Sequence, residues 1–74
     1  MEIKVGIQHV NREVVVETTE AAADVERAFS EAVESQGVFT LADERGRRVL
    51  IPSSKIAYVD LGEEHARKVG FGTL

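Results

Sequence analysis

The residues able to do chemistry are few, and their spacing serves it poorly. Ser53, Ser54 and Lys55 set two hydroxyls beside an amine. Consecutive side chains on a strand or turn diverge, whereas a serine–lysine nucleophile must converge in a pocket, so these three are read as turn residues. His9 and His65 are the two histidines, and a zinc site would need further ligands brought in from elsewhere in the fold. Glu63, Glu64 and His65 offer three adjacent ligand types but read as a solvated tail. Gly70-Phe71-Gly72 has the glycines of a phosphate-binding turn, yet it lacks the following lysine, hydroxyl and helix that such a turn requires. With no cysteine, disulfides, thiolate metal sites and thiol redox chemistry are excluded. No catalytic, cofactor-binding or metal-binding residue is assigned, no cofactor is expected, and the chain reads as a non-enzyme.

The chain has 74 residues, room for one domain. A chain of this size buries only about 60% of the surface its unfolded form exposes, so stability should be modest. A net charge of −4 with 30% charged residues argues against a general nucleic-acid binder, whose affinity comes from Lys and Arg on phosphates. No apolar run is long enough for a signal peptide or a membrane span, and the expected location is the cytoplasm.

Few elements are available to position anything. Ile3, Val5 and Ile7 alternate with polar residues, the period of a half-buried strand. A turn over residues 9–12 follows, with Asn11 suited to a left-handed backbone. A second strand over 13–18 sets Val14 and Val16 on one face and Glu13, Val15 and Glu17 on the other. The segment 20–36 is the one strongly helical piece, with an apolar stripe of Val25, Ala28, Phe29, Ala32 and Val33. Thr18 or Thr19 is the expected cap, and Gly37 the expected left-handed terminator. Strand three (38–42) turns through residues 43–46, with Gly46 supplying the unusual angle, into strand four (47–51), which Pro52 ends. Strand five spans 55–61. The order is β-β-α-β-β-β, an α+β domain over residues 1–62 in which one helix covers one face of a mainly antiparallel five-stranded sheet. The preferred strand order is 2-1-3-4-5; the alternatives put strand five beside strand one or adopt a grasp-like layout. Phe29 is expected at the centre of the core.

The runs Leu41-Ala42-Asp43-Glu44-Arg45-Gly46-Arg47-Arg48, Ile56-Ala57-Tyr58-Val59 and Arg67-Lys68-Val69-Gly70-Phe71-Gly72 resemble the small actinobacterial family DUF3107 over essentially the whole chain. The resemblance implies no activity that can be carried over. An ATP-binding label attached to some members implies a nucleotide, for which these residues offer no phosphate loop.

Two surfaces stand out. If the alternating strands turn Ile3, Val5, Ile7, Val14, Val16, Phe39, Leu41, Val49 and Ile51 toward the helix, then Val15, Val38, Leu50 and either Ile56 with Tyr58 or Ala57 with Val59 face outward. Exposed apolar surface of this kind marks contact with another chain, and homodimerisation through a sheet face or edge is one expectation. The second surface is the basic hairpin tip of Arg45, Arg47 and Arg48, joined by Lys55, with an acidic helix face of Asp24, Glu26, Glu31 and Glu34 opposite. Segregated charge of this sort orients a protein on an acidic partner. Phe71, flanked by glycines in the tail over 63–74, is expected to dock on the sheet or on a second copy. The expected function is therefore a non-catalytic protein-interaction or regulatory module acting on a protein partner through Arg45, Arg47, Arg48, Val15, Tyr58 and Phe71. A small-ligand or nucleotide-binding protein is the alternative.

Overall fold

The computed structural model describes residues 1–63, and the expected docking of Phe71 lies outside them. In chain order the elements are β1 (Glu2–Ile7), β2 (Glu13–Glu17), α1 (Ala22–Ser35), β3 (Val38–Ala42), β4 (Arg48–Pro52), a short 3₁₀ turn (Ser53–Lys55) and β5 (Ile56–Leu61). This is the expected α+β sequence of elements. All strand pairs are antiparallel, but they form two sheets: three strands in the order β2-β1-β5, and the hairpin β3-β4. The single five-stranded sheet in the order 2-1-3-4-5 is thus corrected, and β5 beside β1 is the arrangement adopted. The turn that follows β3 meets the end of β2, where the Glu44 N–H donates to the Glu17 carbonyl at 2.9 Å. The second edge of β1 is taken by β5, along a ladder that closes with Gly62 N–H donating to Glu2 O at 2.9 Å.

The alternation in β1 and β2 follows from pairing Ile3 with Val16 and Val5 with Val14. Ile3, Val5, Val16, Phe39, Leu41, Ile51, Val25 and Ala32 form the buried core with Met1 and Ile56, while Ile7, Val14, Val49, Val59 and Leu61 pack against it in part. Phe39, and not Phe29, is the large residue with no exposure. Phe29 is half-buried, meeting Phe39 edge to face with ring centroids 5.3 Å apart. Val33 is 49% exposed, so the buried stripe of α1 is narrower than the sequence pattern and runs through Val25 and Ala32.

Both helix ends differ from expectation. Thr18 does not cap α1, because its main chain extends the β1-β2 ladder: its N–H donates to Met1 O at 3.0 Å and its carbonyl accepts from the Met1 amine at 2.9 Å. Its hydroxyl oxygen accepts from Glu20 N–H at 3.1 Å, which satisfies a buried polar side chain and forms a turn ahead of the helix. Helix α1 begins after Ala21, which offers no side-chain cap. At the other end Gln36, with φ of 56°, takes the left-handed position expected of Gly37. Gly37 N–H then closes on Ala32 O at 2.8 Å. In the first hairpin the left-handed residue is His9, φ 64°, in place of Asn11. Gly46, φ 88°, has its expected role.

Strand β5 carries an irregularity that the sequence pattern does not show. Gly6 pairs with Tyr58 and Ile7 with Ile56, a register shift that leaves Ala57 as the extra residue. Alternation breaks there. Ile56 is buried and Val59 half-buried, while Ala57 and Tyr58 are exposed, so neither of the expected pairings of these residues shares a face.

Candidate interaction surface

The basic tip is built by Asp43. Its Oδ1 accepts the main-chain N–H of Arg45 at 2.9 Å and of Arg47 at 2.8 Å, and its Oδ2 accepts from Arg47 Nε at 3.1 Å. Such side-chain bonds substitute for main-chain partners at a turn. They also hold the Asp43 carboxyl below its ordinary range, chiefly through the Arg47 amide, against the opposing effect of burial. The guanidinium of Arg47 is therefore committed within the turn. Arg45 and Arg48 are exposed and make no ion pair among the described residues.

Strand β4 presents these charges beside apolar surface. Leu50 is 64% exposed and Val38 54% exposed, with Thr40 opposite Leu50 and Pro52 opposite Val38 on the hairpin face turned from the core. The ladder also fixes the direction of the main chain. Asp43 N–H donates to Arg47 O at 2.8 Å and Ser53 N–H to Gly37 O at 2.9 Å. Bonded pairs alternate along an antiparallel ladder, so Leu41 with Val49 and Phe39 with Ile51 are the bonded pairs. The N–H and C=O of Arg48 and Leu50 then point off the far edge of β4, where no described residue receives them.

The other expected site residues lie on the three-stranded sheet. Val15 is across from Lys4, which also pairs with Asp60. Tyr58 lies over Gly6, where a Cβ would collide with its ring, and its hydroxyl donates to Glu13 Oε2. That bond raises the phenol above its ordinary range, with burial and the charges of Glu13 and Asp60 adding to it. This outer face presents exposed Val15 and Tyr58 among Glu2, Lys4, Glu13, Glu17 and Asp60. Val15 and Tyr58 thus belong to a different sheet from the arginines, and Phe71 lies outside the described residues. The Gly6–Tyr58–Glu13 crossing was missed from sequence; a glycine inside an otherwise regular strand is its one signal.

Among the described residues, three hollows flank α1. A cleft of about 230 Å³ is lined by Val25, Glu26, Phe29, Val59 and Leu61. Two of about 300 Å³ lie beside Phe29, Ser30, Val33 and Glu34, and between α1 and β3. None of the three is lined by Lys or Arg, and all are at or below the usual lower size of small-molecule sites. Among the described residues no group of three or more His, Cys, Asp or Glu could hold a metal ion, and no helix is long and apolar enough to cross a membrane.

In comparison with known proteins, the family profile described as "Protein of unknown function (DUF3107)" matches residues 1–72. No curated protein matches the chain.

Proposed function

This chain belongs to the DUF3107 family, and from that premise we propose that it is a non-catalytic protein-interaction or regulatory module of the cytoplasm, acting on an acidic protein partner. The observation that carries this reading is the exposure of Leu50 on the same hairpin as Arg48 and Arg45, which make no ion pair among the described residues. An exposed apolar residue with exposed cations toward one end of its strand has the composition of a contact surface with a polar rim. Nucleotide binding is the weaker reading, because the three hollows offer no cation to a phosphate. The test is cross-linking and capture from the native cell with the parent chain and with the pair Arg45→Glu, Arg48→Glu. The reading expects a defined partner that the reversed charges lose. A partner retained in full, or a saturable thermal shift with ATP, would replace it.

A further inference from the structure

We propose that the free edge of β4 receives an extended acidic segment of a partner protein as an added strand, with an apolar side chain beside Leu50 and carboxylates at Arg48 and Arg45. The inference deepens the interaction reading above and rests on it.

Three observations converge. The outward N–H and C=O of Arg48 and Leu50 form a row of main-chain groups, spaced for a strand, that no described residue meets. The Leu50 side chain is exposed directly beside that row. Arg48 at one end and Lys55 beyond the other are exposed cations, so the row favours carboxylates over ammonium groups.

The same geometry disfavours a second copy of this chain as the occupant. Antiparallel self-pairing about Leu50 would set Arg48 against Pro52, whose missing N–H leaves the Arg48 carbonyl unmet. Charge and proline on an edge strand are the usual means of blocking self-association, and here they leave the edge open to a partner of opposite sign.

The experiment is selection of random heptapeptides displayed on phage against the full chain, followed by amide hydrogen exchange with the best synthetic peptide. Enriched peptides should carry an apolar residue with Asp or Glu two positions away, so that both lie on the Leu50 face, and slow exchange at the Arg48 and Leu50 amides by about tenfold or more. Arg48→Glu, and separately Leu50→Lys, should weaken binding by about tenfold with the melting temperature retained. No enrichment, peptides without net negative charge, or unprotected Arg48 and Leu50 amides would overturn the proposal. So would protection that appears in the free chain with rising concentration, which assigns the edge to a second copy, or protection lost on deleting residues 64–74, which assigns it to the chain itself. Should the charge-reversed pair lose a cellular partner that leaves these amides unprotected, the interaction reading stands and strand addition falls.

Discussion

Tyr58 occupies the space that a side chain at Gly6 would fill, spanning β1 from β5 to bond Glu13 on β2. The three strands are thereby joined on their outer face by one ring and one hydroxyl. Covering a strand glycine with a neighbouring aromatic in this way recovers contact surface that the glycine lacks.

Gly6→Ala should therefore swing Tyr58 off the sheet rather than distort β1, because the colliding atoms are the far end of a rotatable ring. The expected result is a lower melting temperature and a phenol that titrates closer to 10.0, its ordinary value. One tyrosine and no tryptophan make near-ultraviolet absorbance a clean readout. An unchanged titration would mean that the ring does not depend on the glycine.

The Tyr58 phenol also makes stability depend on alkaline pH. Its raised value means that the folded chain holds the proton more tightly than the unfolded one. The contribution is fully present below the unfolded value and is lost as pH rises through the folded value. Glu13→Gln should lower that alkaline midpoint, as followed by chemical denaturation across the range.

Asp43 has the opposite sign. Its carboxyl is held below 3.8, so its contribution is present above that value and disappears as pH falls through the lower folded value. The amides of Arg45 and Arg47 should report this titration by NMR. In Asp43→Asn, where the side-chain carbonyl can still accept both amides, their shifts should lose the pH dependence. A midpoint at or above 3.8 in the parent would contradict the turn as described.

Core substitutions should separate the two phenylalanines. Phe39→Ala, at a fully buried position, should cost about 3 to 5 kcal/mol, and half-buried Phe29→Ala distinctly less, about 1 to 2 kcal/mol. Urea melts measure both, and equal losses would restore Phe29 to the centre of the core.

Gln36 holds a left-handed conformation that is costly for any side chain. Gln36→Gly should stabilise the chain by about 0.5 to 1 kcal/mol in the same assay. A loss would show that the glutamine side chain makes up for its backbone.

What the sequence disclosed and what it hid follow a physical division. Ile3, Val5, Val14 and Val16 reveal their strands because alternation is a local signal, and Gly46 reveals its turn because few residues accept its backbone angle. The partner of β1 is not local: Val38–Ala42 and Ile56–Leu61 both offer apolar alternation, and nothing along the chain says which reaches that edge. The position of Phe29 failed for a related reason. A helical stripe fixes which side of α1 is apolar but not how far the facing strands extend beneath it, so Phe29 and Val33 fall at the margin. On the surface, the arginines and Leu50 were legible as residue types. The commitment of Arg47 to Asp43, and the direction in which Leu50 turns its N–H, required the ladder.

Strand β1 lies between β2, its neighbour in sequence, and β5, which is separated from it by nearly the whole described chain. The two hairpins need only short loops to close. Joining β5 to β1 means closing the longest loop in the described chain, with an entropic cost that grows with its length. During synthesis, then, Ile3 and Val5 can find Val16 and Val14 early, but the other flank of β1 stays bare until Ile56–Leu61 has left the ribosome. For that interval the most buried strand of the described chain is an open edge, and a chain that has formed β1-β2 without β5 is exposed to misassociation.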